Sequence, residues 1–284
     1  MTLSPATRLY AVVGDPVSHS LSPLIHNRWI AEAGLDAAYV ALNLKSDAAA
    51  ADLRALGRAG LSGLNITLPH KRAAFEAATK RTREAELVGA ANTLALEADG
   101  GWTAHNTDVE GFSRALEAAM GMTAAELGEA MEDKRVVLIG AGGAARAAVV
   151  CLSRLGADLA IVNRSITNAD SLANELARGA ETVGFEDLAS LANEADIIVN
   201  SASLGHAGEA LPALPAGRGR PFLDMSYGAA ARGILAAAQG AGWTPHDGLT
   251  MLVGQAAAAF RIWFGGSPDV DGALADCRAA VERR

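Results

Sequence analysis

The sequence of 284 residues contains few cysteines, few aromatic residues and no excess of positive charge. Cys151 and Cys277 are too few and too far apart for a disulfide framework or a zinc site, and we predict that both are buried. The six histidines show no paired-ligand spacing, so no metal is predicted. A formal net charge of −8 argues against nucleic acid as a partner, because phosphate binding needs a basic face.

Long hydrophobic runs are also missing, although half of the residues are hydrophobic. No apolar run approaches the roughly 20 residues that a membrane helix needs. Residues 1–8 lack the charged, apolar and cleavage regions of a signal peptide, so we expect a cytoplasmic protein with no membrane partner. The length exceeds the usual single domain and favours two domains, each with its own core.

The local structure of residues 136–147 can be predicted from the sequence. The apolar run Val136 to Ile139 ends at a glycine cluster and is followed by an alanine-rich segment, which indicates strand, tight turn and helix. Gly140, Gly142 and Ala145 fit the dinucleotide-binding pattern G-x-G-x-x-G/A, with a pyrophosphate expected at the helix N-terminus. Taken alone, the motif is also compatible with a plain strand-to-helix turn that binds nothing.

The next predicted strand, Leu159 to Val162, ends at Asn163, Arg164 and Ser165. In dinucleotide sites this position reads the adenosine ribose, and NAD sites usually place a carboxylate there. A neutral Asn163 followed by Arg164 instead offers a planar donor fork to a 2′-phosphate. The sequence therefore predicts NADP rather than NAD. Strands and helices alternate with short loops through the rest of the chain, which predicts a doubly wound α/β fold.

Several polar side chains lie at predicted helix starts in the N-terminal part. Ser22 followed by proline is typical of an N-cap, which would leave the Ser20 hydroxyl available for a ligand. Lys71 opens a helix directly after a strand and loop, where chemistry tends to be placed, although many lysines open helices without any such role. Asp108 lies in the first turn of a helix that Asn106 or Thr107 can cap, which alone would explain an acidic residue there.

Gln255 is a single amide on a long apolar helix. A buried glutamine needs partners for its donors and its acceptor, and either a core hydrogen bond or a ligand would supply them. The residues so far leave these alternatives open.

The motifs taken together resemble those of the shikimate dehydrogenases, along nearly the whole chain. They are Ser20-Leu21-Ser22-Pro23, Asn65 to Lys71, Gly89 to Thr93, Asn106-Thr107-Asp108, the Gly140 loop, Asn163-Arg164-Ser165, Asp224 to Tyr227 and Met251 to Gln255. Separate motifs in the right order are hard to explain by packing alone.

The resemblance implies an α/β substrate-binding domain of residues 1–107 with 250–284, and a Rossmann-like NADP-binding domain of residues 108–249. It implies that the following residues hold the substrate: Ser20, Ser22, Thr67, Lys71, Asn92, Asp108, Tyr227 and Gln255. It implies that the following residues hold NADP: Gly140, Ala141, Gly142, Gly143, Ala144, Asn163, Arg164, Ser165, Met225 and Gly248.

The activity implied by the resemblance is NADPH-dependent, reversible reduction of 3-dehydroshikimate to shikimate, in the biosynthesis of chorismate and aromatic amino acids. Lys71 would be the acid/base group and Asp108 its partner. Asn168 replaces a second basic residue common in NADP-using members, so the 2′-phosphate would depend mainly on Arg164.

Two alternatives are a quinate/shikimate or aminoshikimate dehydrogenase and, in a different class, a non-catalytic nucleotide-sensing relative. Ser22 favours shikimate, since relatives that act on quinate often have threonine there. A monomer and a homodimer are both compatible with the sequence.

Overall fold

The computed structural model describes residues 4–45 and 50–283, which form two compact units. The first unit comprises residues 1–108 and 252–277, and the second comprises residues 109–251 and 278–284. Each unit is built around a six-stranded sheet with helices, and the predicted α/β class is confirmed. The functional assignment of the two units stays a prediction at this stage.

The first unit holds a mixed sheet. Its strands are β1 (Arg8–Gly14), β2 (Ala37–Asn43), β3 (Leu61–Ile66), β4 (Lys80–Arg81), β5 (Thr93–Leu96) and β6 (Trp102–His105). Its first helices are α1 (Ser22–Glu32), α2 (Ala50–Arg58), α3 (Lys71–Ala77) and α4 (Arg83–Val88). The strand order is β2-β1-β3-β5-β6-β4, with β1 parallel to both β2 and β3, and with β5 antiparallel to β3 and β6.

The second unit holds a sheet in which all pairings are parallel. Its strands are β7 (Arg135–Ile139), β8 (Asp158–Val162), β9 (Glu181–Val183), β10 (Ile197–Asn200), β11 (Pro221–Asp224) and β12 (Thr244–His246). The helices that follow are α5 (Asp108–Met120), α6 (Ala124–Ala130), α7 (Gly143–Arg154), α8 (Ile166–Leu176), α9 (Leu188–Glu194), α10 (Ala229–Gly240), α11 (Leu249–Phe264) and α12 (Val270–Glu282). The chain passes between the units within α5, α11 and α12.

The strand order of the second sheet is β12-β11-β10-β7-β8-β9. In chain order, β8 and β9 are added on one side of β7, and β10 then pairs with the other side of β7. Residues Val136 to Ile139 of β7 are completely buried, because helices cover both faces of a doubly wound sheet. The reversal of direction between β7 and β10 creates the crevice in which such sheets bind ligands.

The few aromatic side chains concentrate on one face of the first sheet. Tyr10 of β1 and Tyr39 of β2 are directly paired in the parallel register, and both rings contact Trp263. Trp29 and Phe260 pack edge to face nearby. Burial of large rings stabilises a domain strongly, so this face contributes much of the stability of the first unit.

The two cysteines are buried and free, as predicted. Burial raises the pKa of the Cys277 thiol to about 11. The sequence pattern from Asp47 to Leu56 predicts a helix; the structure has α2 at Ala50–Arg58, and Asp47 lies outside the described residues. Within residues 4–45 and 50–283, no helix is long and apolar enough to cross a membrane. The same residues contain no group of acidic, histidine and cysteine side chains placed to hold a metal ion.

Candidate functional site

The loops after β1 and β3 lie side by side, because these strands are neighbours in the first sheet. The backbone N–H of Thr67 donates to the Val13 carbonyl at 2.9 Å, and that of Asp15 donates to the Leu68 carbonyl at 2.9 Å. Gly14 allows this approach, since a Cβ there would collide with the Thr67 methyl group. The two loops form one surface at the carboxyl ends of the strands, where open α/β sheets bind ligands.

Lys71 and Asp108 form an ion pair at this edge. They are the first residues of α3 and α5, and Lys71 Nζ lies 2.5 Å from Asp108 Oδ2. Their side chains are only 15% and 7% exposed, so the pair is not an ordinary surface salt bridge. An ammonium held by a carboxylate but still partly accessible can give a proton to a ligand or take one from it.

Asn92 connects this pair to its surroundings. Its side-chain Nδ2 donates to Asp108 Oδ1 at 2.9 Å and to Thr107 Oγ1 at 2.9 Å. Its Oδ1 accepts a hydrogen bond from the Thr107 backbone N–H at 2.7 Å. Asn92 is 2% exposed, and the carboxylate is therefore fixed from one side by a lysine and from the other by a buried amide.

Gln255 belongs to the same group of side chains. Its Oε1 accepts a hydrogen bond from Asn92 Nδ2 at 3.3 Å, and its Nε2 donates to the Leu252 carbonyl at 2.8 Å. The core hydrogen bond that the sequence left open is thus present, and it places the amide next to the Lys71–Asp108 pair. Asn106 caps α5, since its Oδ1 accepts the Asp108 backbone N–H at 3.1 Å.

The predicted N-cap role of Ser22 is wrong. Ser22 is already helical, because Leu21 before it has φ of −89° and ψ of −4° and occupies the cap position without a side-chain hydrogen bond. The Ser20 Oγ accepts the Ser22 backbone N–H at 3.2 Å, so Ser20 has the local role that had been assigned to Ser22. The Ser22 hydroxyl is thereby released from capping, whereas Ser20 keeps one lone pair and its donor.

Asn65 is a polar residue that the site prediction missed. It is 4% exposed near the end of β3, accepts a hydrogen bond from the Tyr39 hydroxyl at 2.7 Å and donates to Thr93 Oγ1 at 3.0 Å. The sequence could have indicated Asn65, because an asparagine inside an apolar strand is buried and a buried amide must be hydrogen-bonded.

The glycine loop of the second unit fits a pyrophosphate. Gly140 has φ of +107°, and a Cβ there would lie 2.6 Å from Ser201 Oγ, so the turn requires glycine. Gly142 is the N-cap of α7, and within the described part of the chain it has no side-chain cap and no atom within 4 Å of a Cβ position. Ala145 is fully buried against the strand. The start of this twelve-residue helix is therefore uncapped by a side chain and open at Gly142, which suits an anion.

The loop after β8 is more exposed. Asn163 Nδ2 donates to the Ser165 carbonyl at 2.9 Å, which shapes the turn into α8. Arg164 extends into solvent with 68% of its side chain exposed, and its guanidinium pairs with the Glu209 carboxylate. This cation can face a phosphate, and it already has an internal anionic partner.

The ends of β10 and β11 are joined by Asp224. This completely buried carboxylate accepts the Ser226 backbone N–H at 2.7 Å and the Asn200 amide at 3.1 Å. Burial raises the pKa of Asp224 to about 6, and nearby Asp247 adds to the shift. The backbone N–H of Gly248 donates to the Ser226 carbonyl at 2.9 Å, which links the loops that carry Met225 and Gly248, two of the predicted cofactor residues.

The structure distributes the predicted residues over both units. The first unit brings together Ser20, Ser22, Thr67, Lys71, Asn92, Asp108 and Gln255. The second unit holds Tyr227 and every predicted cofactor residue: Gly140, Ala141, Gly142, Gly143, Ala144, Asn163, Arg164, Ser165, Met225 and Gly248. The side chain of His206 lies outside the part that the structure describes.

Three family models match the chain. Residues 12–94 match the shikimate dehydrogenase substrate binding domain, residues 122–207 match shikimate / quinate 5-dehydrogenase, and residues 248–275 match the shikimate 5′-dehydrogenase C-terminal domain. The shikimate dehydrogenase (NADP(+)) of Hyphomonas neptunium is 42% identical over 277 residues, which cover 97% of this chain and 98% of that protein.

Solved structures are similar over the same extent. Shikimate 5-dehydrogenase of Thermus thermophilus, solved in complex with NADP(H) and shikimate, has a TM-score of 0.78 at 32% identity, covering 96% of this chain and 99% of that one. Quinate dehydrogenase of Corynebacterium glutamicum, solved in complex with NAD, has a TM-score of 0.81 at 28% identity, with coverage of 96% and 99%.

Proposed function

Because this chain belongs to the shikimate dehydrogenase family, we propose that it catalyses the reversible, NADPH-dependent reduction of 3-dehydroshikimate to shikimate. This is an oxidoreductase step in the biosynthesis of chorismate and the aromatic amino acids. The observation that carries the proposal is the buried Lys71–Asp108 pair at the ligand-binding edge of the first sheet. The related Thermus enzyme, solved with NADP(H) and shikimate, supports both ligands.

We propose that Lys71 is the proton donor for ketone reduction. When bound, NADPH supplies a hydride to the carbonyl carbon, and negative charge then develops on the carbonyl oxygen. The Lys71 ammonium stabilises that charge and delivers a proton to the oxygen, and in the reverse direction the neutral amine accepts the hydroxyl proton. Such assistance typically contributes about 10²–10⁴-fold to turnover.

Asp108 orients this lysine. One carboxylate oxygen contacts Lys71 Nζ at 2.5 Å, while the other is held by Asn92 at 2.9 Å. The carboxylate therefore cannot rotate freely, and the amine keeps one position relative to the surrounding polar groups. Preorganisation of this kind matters most for a group that must meet developing charge without rearranging.

The ring hydroxyls and carboxylate of shikimate require several fixed donors and acceptors. We propose that these come from Ser20, Ser22, Thr67, Asn92, Gln255 and Tyr227, together with Lys71 and Asp108. Support for four members of the set is that Lys71, Asn92, Asp108 and Gln255 are joined by hydrogen bonds, in which Asn92 links Asp108 to Gln255.

We propose that the second unit binds NADP through residues 140–144, Asn163, Arg164, Ser165, Met225 and Gly248. The open N-terminus of α7 fits the pyrophosphate, and the Arg164 guanidinium fits a 2′-phosphate. The relatives named for NADP(+) support the same choice of cofactor. Since the proposed reaction draws on NADPH, we further propose a cytoplasmic enzyme, and cell fractionation would test that location.

The proposed activity is tested by mixing the purified chain with shikimate and NADP⁺ and following NADPH formation. We expect rapid formation that depends on shikimate. Stabilisation of the protein by NADP⁺ without shikimate-dependent turnover would instead indicate a non-catalytic nucleotide-sensing protein.

A second candidate is oxidation of quinate, favoured by the similarity to the quinate dehydrogenase of Corynebacterium glutamicum. We expect a higher kcat/KM for shikimate with NADP⁺ than for quinate with either cofactor. The comparison of both substrates with NADP⁺ and NAD⁺ decides between them, because kcat/KM measures discrimination directly. Sedimentation of the same preparation separates a monomer from a homodimer.

A further inference from the structure

Tyr39 is a buried hydroxyl that the proposed mechanism does not use. Its residue is 2% exposed in β2, an edge strand of the first sheet, and its hydroxyl donates to Asn65 Oδ1 at 2.7 Å. Burial raises the pKa of Tyr39 well above its usual value, and the Ser22 hydroxyl on the neighbouring helix opposes that rise. The phenol therefore lies between a proposed substrate-binding serine and a buried amide.

The direction of these hydrogen bonds follows from the surrounding partners. Asn65 Nδ2 donates to Thr93 Oγ1 at 3.0 Å, so the carbonyl oxygen of the Asn65 amide faces Tyr39. Because Tyr39 gives its proton to that oxygen, its own oxygen is left to accept the proton of Ser22. The Ser22 hydroxyl does not cap its helix, and Ser22 lies one turn before His26, the residue on which the Tyr39 ring stacks.

The Tyr39 ring is itself held against α1. It stacks on the His26 ring at a centroid distance of 4.3 Å and an interplanar angle of 10°. The Asn27 side chain makes two hydrogen bonds with the Tyr39 backbone: its Oδ1 accepts the N–H at 3.0 Å, and its Nδ2 donates to the carbonyl at 2.8 Å. Tyr39 and Ser22 therefore keep a fixed distance, because Asn27 and His26 lie on the same helix as Ser22.

The other end of the chain of contacts reaches the proposed catalytic pair. Thr93 Oγ1 donates to Asn92 Oδ1 at 3.2 Å, and Asn92 Nδ2 donates to Asp108 Oδ1 at 2.9 Å. Starting from Tyr39, continuous hydrogen bonds thus run through Asn65 and Thr93 to the carboxylate that holds Lys71.

We propose that Tyr39 is a positioning residue for substrate binding, which orients the Ser22 hydroxyl directly and the Asn92–Asp108 group through Asn65. The inference rests on the proposed function, because it assigns Ser22 and Asn92 to the substrate. A purely architectural Tyr39 would only satisfy the Asn65 amide, and its loss would change stability without a selective change in substrate binding.

The test is Tyr39→Phe, which removes one oxygen and keeps the stacked ring. We expect the KM for shikimate and its dissociation constant to rise about threefold to tenfold, as for the loss of one buried hydrogen bond. The dissociation constant for NADP⁺ should stay unchanged, and kcat should change by less than about twofold.

Tyr10→Phe is the matched control. Tyr10 is also 2% exposed, is directly paired with Tyr39 in the sheet register and contacts the same Trp263 ring. We expect this variant to keep the wild-type KM for shikimate. Equal KM changes in the two variants, or a Tyr39→Phe protein with wild-type KM, would overturn the proposed role of Tyr39.

A double-mutant cycle with Ser22→Ala sharpens the result. If Tyr39 acts on the substrate mainly through Ser22, the effect of Tyr39→Phe should be at most about half as large, on the logarithmic scale, in the Ser22→Ala background. Fully additive effects on the dissociation constant of shikimate would contradict that coupling. A wild-type protein that does not turn over shikimate at all would contradict the proposed function itself. That result is distinct from additive effects in the double-mutant cycle, which concern only the role of Tyr39.

Discussion

The polar residues around Asp108 and the loop that carries Arg164 differ in how much of their geometry exists before a ligand arrives. In the first unit, Lys71, Asn92 and Asp108 are held by one another and are largely shielded from water. In the second unit, Arg164 is 68% exposed and pairs with an exposed carboxylate of Glu209. The side chains of the first group lose their conformational entropy during folding. Arg164 loses much of its conformational entropy only when a ligand binds.

This difference separates what substitutions should do in the two regions. Changes among the buried residues should act on the chemical step and on the binding of the ring, since these groups are already in position. Changes at the exposed loop should act on cofactor affinity and on its salt dependence, because exposed charges are screened. The predictions below use that contrast.

The largest effect is expected for Lys71→Ala. Removal of the ammonium should lower kcat by about 10²–10⁴-fold, because no other proposed group supplies the proton. The fold should persist, since Asp108 keeps the Asn92 amide and lies in the positively polarised first turn of α5. Steady-state kinetics, circular dichroism and the dissociation constant for NADP⁺ measure the three consequences.

Lys80→Ala provides the control for that variant. Lys80 is a lysine with 58% of its side chain exposed in a surface pair with Glu97, so its loss should leave turnover near wild type. If Lys71→Ala kept a large fraction of wild-type turnover, the lysine would have no part in the chemistry.

Most of the strands could be predicted from the sequence, because apolar runs bounded by turns indicate strands that are buried on both faces of a sheet. β7 extends the predicted run Val136 to Ile139 by one residue, Arg135, and β8 extends the predicted strand Leu159 to Val162 by Asp158. β4 could not be predicted in this way, because two exposed residues, Lys80 and Arg81, carry no hydrophobic pattern and are ordered by their partner strand β6. Short elements of this kind depend on tertiary contacts rather than on local preference.

The partners within the site depend on contacts that local patterns do not contain. Lys71 and Asp108 are 37 residues apart and meet because two different helices begin at the same place. Only the resemblance to a family paired them in the sequence. The N-cap prediction for Ser22 failed for a related reason, since the helical backbone of Leu21 is decided by the loop before it.

The second largest effect is expected for Arg164→Ala. Loss of a charged hydrogen-bond donor to a 2′-phosphate should weaken NADP⁺ binding by about tenfold to a hundredfold. The dissociation constant for NAD⁺ should hardly change, because NAD⁺ has no such phosphate. Calorimetric titration of both cofactors at low and high salt measures the effect, and the salt dependence of NADP⁺ binding should become weaker.

Arg178→Ala is the matched control for this change, because Arg178 is also exposed but precedes β9, at the amino ends of the strands. Cofactor binding should be unaffected in that variant. Equal losses for NADP⁺ and NAD⁺ in Arg164→Ala would place this arginine away from the 2′-phosphate.

The buried His26 side chain predicts that the stability of the protein depends on pH. Its ring is completely buried, and neither nitrogen has a hydrogen-bond partner among residues 4–45 and 50–283. Burial lowers the pKa of His26 to about 3, and the Asn65 side chain opposes that shift. The unfolded chain binds this proton below pH 6.5, so the contribution of the neutral ring to stability is lost as the pH falls below that value. Between about pH 7 and pH 5 the loss amounts to about 2 kcal/mol.

The comparison with His26→Phe isolates this effect. The phenylalanine variant should lack the histidine's share of the acid loss, which urea unfolding at several pH values would measure. Asp224 supplies the opposite sign: its raised pKa, about 6, makes the native state bind the proton more tightly. Asp224→Asn should therefore steepen the loss of stability on acidification, and a flatter profile would contradict the shift at Asp224.

The smallest effect is expected for Glu209→Gln. In the second unit, the Glu209 carboxylate pairs with the guanidinium that the 2′-phosphate would use, so the phosphate would replace one anionic partner with another. An exposed pair is worth at most about 1 kcal/mol, and removal of its negative charge should tighten NADP⁺ binding by up to about fivefold. NAD⁺ binding should be unchanged. Glu181→Gln, which breaks a comparable pair with Arg135 at the amino ends of the strands, should leave both affinities at wild type. Weaker NADP⁺ binding in Glu209→Gln would mean that the carboxylate orients Arg164 for the phosphate instead of competing with it.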